Sequence, residues 1–221
     1  MTKISFELFG LELLEPLGFA LNWVFTIQSW YYFKKLKHWK NSSFAVNWRW
    51  FFLFFGFSGL FGGLSHLLYN YTGLLGKIPG WATAIIAITF LELAMSSLAK
   101  GKLAKVLKIV VFAKLGITAF VMIVFFNFNM VIIHTAAGMI LWIVIPGFYY
   151  LSKGKVELNN FLWAIFFMLL TLPFRILKID LHLWFNRDDA AHIFMLITLY
   201  LFYSGVKRRE ILTAKDSLQN K

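Results

Sequence analysis

Cysteine is missing from this chain altogether. Its absence excludes disulfides, thiolate metal sites and a cysteine nucleophile, and it leaves the redox compartment undetermined. Charge is scarce too: only 14% of the 221 residues are Asp, Glu, Lys or Arg. A soluble domain of this length needs far more polar surface, so that class is excluded. There is no soluble domain, internal repeat or low-complexity segment. The first residues, MTKISFELFGLELLEP, carry Glu7, Glu12 and Glu15 ahead of any long apolar run. That is the wrong flank for a cleaved signal peptide.

What is present instead is apolar and aromatic: 60% hydrophobic, 19% aromatic, mean hydropathy +0.70. This composition predicts an integral membrane protein. Stretches of about 20 residues, the length that crosses a hydrocarbon core, fall near 11–33, 48–70, 80–98, 105–126, 128–150, 159–178 and 187–205. The fourth and fifth are nearly continuous, and Asn127 and Asn129 mark the turn between them. The expected fold is therefore all-α, a polytopic seven-transmembrane-helix bundle in a single domain over 1–221.

Basic residues set the expected orientation. KKLKHWKN after the first span, KGKLAK after the third and KRREILTAK after the seventh are the strongly basic connections. Cytoplasmic loops collect Lys and Arg, which puts the N-terminus outside and the C-terminus in the cytoplasm. The same rule accounts for the formal charge of +12 without a nucleic-acid partner. Trp23, Trp30, Trp48, Trp50, Trp81, Trp142, Trp163 and Trp184 lie mostly toward span ends, as interfacial belts require.

Ionisable groups inside spans are costly, and each calls for an account. At about 1.5 Å per residue, most of them share one depth, in the outer leaflet. Glu15 opens the first span; Ser65 and His66 end the second; His134 lies about two turns into the fifth; Asp188, Asp189 and His192 open the seventh, just after His182. In the second span Ser58, Gly62, Ser65, His66 and Tyr69 follow helical steps and form a small or polar stripe that lets another helix approach. In the seventh, either aspartate can share a face with His192. An oxygen and a nitrogen ligand at i, i+4 on one helix commonly hold a divalent metal. Singly, each group has a plain reading: an interfacial histidine, or first-turn aspartates favoured by the helix dipole. Glu92 and Lys114 fall at similar mid-membrane depth on adjacent spans and are expected to form a structural ion pair. Arg175 is expected to snorkel or to meet an anionic headgroup.

A seven-helix bundle with SGLFGGLSHLLYN in span two and DDAAH opening span seven resembles the CREST superfamily, which includes alkaline ceramidases and progestin/adiponectin receptors. It looks most like bacterial members of that group, which implies a bacterial inner membrane. The resemblance implies zinc at His66 and His192, with Glu15 in LEPLGFALNW at the family's acidic first-span position. Asp188 stands where the first histidine of the span-seven pair belongs, and Gly62 where the span-two serine does; no Asp follows span two closely.

The expected function is a zinc-dependent membrane hydrolase cleaving a lipid amide or ester at the outer face. His66 and His192 would bind zinc, with Asp188, His134 or His182 as third ligand and water in the fourth position. Asp189 or Glu15 would carry the proton of that water, and Ser65 or Tyr69 would donate to the oxyanion. The alternatives are a non-catalytic lipid-binding or signalling protein on the same scaffold and a haem-binding electron-transfer protein with paired histidines. A retinal protein is disfavoured, because span seven has no lysine in its apolar body.

Overall fold

The computed structural model describes residues 4–154, 156, 158–182 and 184–219, apart from the side chains of Arg175 and Ser217. The expectation for the Arg175 side chain therefore lies outside the described residues. The chain opens not with a helix but with a β-hairpin, β1 (Ser5–Leu8) and β2 (Leu11–Leu14), in which Phe6 faces Leu13 and Glu7 faces Glu12. Here the sequence alternates apolar and polar with period two, which averaged hydropathy blurs into the following span. Beyond it, the regular elements among the described residues are helices.

Helix α1 (Pro16–Lys35) starts on a proline whose missing N–H needs no partner there, and ends on Lys34 and Lys35, which suit the negative end of the helix dipole. Ser42 caps α2 (Ser43–Leu67), its side chain accepting from the Ala45 N–H. A short helix α3 (Tyr69–Thr72) leads to α4 (Ile78–Ser96). Helix α5 (Gly101–Phe125) ends at Phe126 in the left-handed region, and Asn127 then caps α6 (Phe128–Met139), so the turn expected at the asparagines is present. A π-helical turn, Ile140–Val144, joins α6 to α7 (Ile145–Ser152). Pro146 explains it: its ring would collide with the carbonyl four residues back in a regular helix. Helices α8 (Asn159–Leu169) and α9 (Thr171–Ile176) are interrupted at Leu170, three residues before Pro173, and α10 (Arg187–Gln219) closes the chain.

Among the described residues, five helical segments are long and apolar enough to cross a membrane: Ser43–Leu67, Leu75–Ser96, Gly101–Phe125, Phe128–Ser152 and Arg187–Asp216. The first and sixth expected spans fall outside this set. Helix α1 carries Asn22, Thr26 and Ser29 on its buried side. The sixth is a shorter apolar helix, Asn159–Phe174.

Helix α2 is the hub, packed between α1 and α4, while α10 lies against α1 and α8. Its contact with α1 depends on glycine. A methyl group at Gly59 would stand 2.5 Å from the Phe25 ring, and one at Gly63 2.9 Å from Asn22 Cβ. On the neighbouring face, Gly80 of α4 comes up against Ser58 and Gly62, so the small-residue stripe read from the sequence does admit a helix. At the other end the core is aromatic: Trp48 stacks among Phe161, Phe202, Phe51 and Phe52. Burying such rings fixes α2, α8 and α10 together, each ring pair adding about 0.5–1.5 kcal/mol beyond its area.

Candidate functional site

Three helix ends meet at one pocket: the start of α1, the end of α2 and the start of α10. Its lining includes Glu15, Gly18, Asn22, His66, Asn186, Asp188, Asp189 and His192.

Glu15 is the residue between β2 and α1, held in the left-handed conformation (φ 51°, ψ 58°), and its N–H donates to the Ile4 carbonyl at 2.9 Å. This turn aims its carboxylate across to α2, where Oε2 lies 2.5 Å from His66 Nδ1. A carboxylate only accepts, so Nδ1 carries a proton, and Nε2 is the nitrogen on which a lone pair can be offered.

His192 is fixed by a different partner to the same effect. Its Nδ1 lies 2.6 Å from the backbone carbonyl of Asp188, one helical turn back. A carbonyl cannot donate, so here too Nδ1 is the protonated nitrogen and Nε2 the basic one. The two imidazoles line the same pocket.

The start of α10 is set by a residue that the sequence pattern does not single out. Asn186 is the cap: its Oδ1 accepts from the N–H groups of Asp188 (2.7 Å) and Asp189 (3.2 Å), and its own N–H donates to Asp189 Oδ2 at 2.9 Å. This reciprocal pair is a capping box written N-x-x-D. It buries Asp189 and leaves Oδ1 facing α1, where a methyl group on Gly18 would come 3.6 Å away. Asp188 is exposed at the pocket mouth. Asn22 reaches the pocket wall while its Nδ2 donates to the Gly18 carbonyl at 2.8 Å.

Other candidates are placed elsewhere. His134 is buried among α4, α5 and α6: Thr118 Oγ1 lies 3.0 Å from its Nδ1, and its carbonyl accepts from Lys114 Nζ at 2.9 Å. It does not line the pocket, so it does not join His66 and His192. Ser65 commits its one hydroxyl hydrogen to the Gly62 carbonyl at 2.8 Å, which removes it as an oxyanion donor. Tyr69 lies on α3 with Lys77 over its ring, outside the pocket lining. His182 bridges to Phe185 in the loop before α10 and accepts from the Trp184 N–H. In that loop the Arg187 guanidinium, bidentate on Asp180, holds the Asp180 carboxyl below the usual carboxylate range.

The Glu92–Lys114 ion pair expected in mid-membrane is formed. Glu92 is fully buried, and Lys114 also lies over the Trp142 ring, whose Nε1 donates to Ser96.

Among the described residues no three His, Asp or Glu side chains already stand close enough together to hold a metal ion. The donor chemistry of the pocket nevertheless fits zinc in kind. Metal-ligating histidines characteristically donate their second ring N–H to a carboxylate or a backbone carbonyl. His66 and His192 do one of each, and both offer Nε2.

Residues 17–211 match a family described as "Family of unknown function (DUF6962)". The chain belongs to this family. The DUF6962 match runs from the first turn of α1 into the last third of α10 and takes in every pocket residue except Glu15, which precedes it by two positions. No curated protein and no solved structure matches the chain.

Proposed function

We propose that this DUF6962 protein is a seven-span membrane hydrolase that binds zinc through His66 and His192 and cleaves an amide or ester bond of a membrane lipid. The single observation that carries the reading is the pair of anchored imidazoles, each with Nδ1 committed and Nε2 free to ligate.

Seven spans require α1 and α8–α9 to cross as well. At about 1.5 Å per residue, the 20 residues of α1 reach about 30 Å, the thickness of a hydrocarbon core. Each pocket-bearing helix supports one orientation. Helix α1 begins at Glu15 and ends at Lys34 and Lys35; α10 begins at Asp188 and later carries Lys207, Arg208 and Arg209. The basic ends are cytoplasmic by the positive-inside rule, so the pocket faces outward, in a bacterial inner membrane. A site just below the interface suits a lipid whose scissile bond sits where headgroup meets chain.

Bound zinc would supply Lewis acidity toward a lipid carbonyl and toward water. The remaining roles belong to the chain. His66 and His192 would hold the metal through Nε2, with Asp188, exposed at the mouth, as the third ligand. Glu15 keeps the proton on His66 Nδ1 and fixes the ring. Asp189 Oδ1, the oxygen its capping box leaves over, takes the proton of the attacking water and returns it to the leaving group.

A second reading, a lipid-binding protein without chemistry, draws on the absence of three gathered ligands among the described residues. Incubating purified protein with a labelled library of ceramides, glycerolipids and lysolipids separates the two. The hydrolase reading expects free acyl chains whose release stops in His192→Ala; retention of intact lipid without product favours the binding protein.

A further inference from the structure

The N-terminal hairpin has an apolar face that outruns the protein beneath it. Phe6, Leu8, Leu11 and Leu13 alternate onto one side of the two strands, and Glu7 and Glu12 onto the other. At the base this apolar face is covered: Leu13 is buried and Phe6 half-buried. The base is also tied down, by Glu15 N–H to the Ile4 carbonyl, by Glu12 N–H to Tyr71 Oη at 2.8 Å and by Asn70 Nδ2 to Glu12 Oε2 at 3.2 Å. Toward the tip the cover ends. Leu8 and Leu11 are exposed, and Phe9 is 95% exposed.

Phe9 is also strained. It and Gly10 form the two-residue turn, at φ 53° and φ 75°. Such turns need a left-handed residue at both positions and favour Asn-Gly or Gly-Gly. A bulky aromatic there carries a steric cost, and no contact among the described residues offsets it. The tie to Tyr71 and Asn70 ends at Glu12, and the Leu8–Leu11 pair and the turn project beyond it. A two-stranded hairpin is marginal in water without a surface to pack on, and the protein supplies that surface only as far as Leu13 and Glu12.

The hairpin leads through Glu15 directly into α1, the helix proposed above to cross the membrane, whose Trp23, Val24 and Ile27 are exposed apolar residues; the inference rests on that crossing. The apolar medium continuous with both is the bilayer. We propose that the hairpin is an interfacial membrane anchor. Phe9, Leu8 and Leu11 rest in the headgroup–acyl boundary of the leaflet on the pocket side, and Glu7 and Glu12 face water. The opposed carboxylates repel one another and need that water, which keeps the hairpin at the interface and out of the hydrocarbon core. Because Glu15 follows Leu14 without a linker, the anchor also sets the position of the carboxylate on His66. Anchoring of this kind does not depend on whether the pocket performs hydrolysis.

The absence of native cysteine makes the test clean. Single-cysteine variants Phe9→Cys, Leu11→Cys and, as the polar-face control, Glu7→Cys are spin-labelled in phosphatidylcholine vesicles. Power saturation then compares collision with oxygen, which partitions into lipid, and with a water-soluble nickel chelate. The anchor predicts oxygen-dominated relaxation at positions 9 and 11 and nickel-dominated relaxation at position 7. Nickel access at 9 and 11 equal to that at 7 overturns it. So does spin–spin broadening at position 9, which would make the covering surface a second copy of the chain.

Discussion

Glu15 Oε2 lies 2.5 Å from His66 Nδ1, joining the residue that opens α1 to the last turn of α2. The contact fixes a tautomer, and a tautomer decides which nitrogen can do chemistry. Removing the carboxylate should therefore act on the metal and spare the fold. Glu15→Ala is expected to weaken zinc binding about 10–100-fold, the usual cost of losing such an outer partner. Glu15→Gln, whose amide oxygen still accepts, should lose less. Zinc competition against a fluorescent chelator measures both.

The Glu92–Lys114 pair predicts a different pattern, in stability. Lys114→Met leaves the fully buried Glu92 without its cation and should cost about 3–5 kcal/mol. Glu92→Gln with Lys114→Met together should recover much of that, because no lone charge remains. Chemical unfolding of the four proteins in detergent forms the cycle; a loss in the double variant equal to the sum of the two single losses would mean that the pair is not coupled.

Close packing of α2 on α1 can be tested with an internal control. Gly59→Ala forces a methyl group against Phe25 and should cost about 1–3 kcal/mol. On α5, a methyl group at Gly116 would meet nothing within 4 Å, so Gly116→Ala should be neutral or stabilising by up to about 1 kcal/mol. Thermal unfolding of both variants reads the difference.

Asn186 is expected to matter for both stability and site geometry. Asn186→Ala removes the side-chain oxygen that accepts from the Asp188 and Asp189 N–H groups, costing about 1 kcal/mol, and leaves Asp189 Oδ2 only the backbone N–H of residue 186 to hold the start of α10. Asn186→Asp keeps an accepting side chain and should restore most of the stability. Thermal melts of the two variants check the order.

Much of the fold and of the pocket is legible in the sequence, and the part that is not has physical reasons. Depth along a span follows from residue counting, which is why Glu15, His66, Asp188 and His192 group together on the sequence alone. Azimuth does not follow from it: His134, grouped with them by counting, sits beside Lys114 and outside the pocket lining. The Glu92–Lys114 pair is legible because a charge in mid-membrane has few possible partners. The hairpin is not, since hydropathy averaging hides a period of two. Nor is the Asn186 cap, whose role is visible only once α10 is known to begin at Arg187. Gly59 and Gly63 fall one helical step from the stripe marked by Ser58 and Gly62, and only packing tells which face meets α1 and which meets α4.

The central claim is that His66 and His192 together hold a zinc ion. Elemental analysis of detergent-purified protein, beside His66→Ala and His192→Ala of matched folding by circular dichroism, tests it most directly. Stoichiometric zinc is expected in the unsubstituted protein, with its loss in both variants. Zinc retained after either substitution, or a well-folded unsubstituted protein that takes up none when it is supplied, would contradict it.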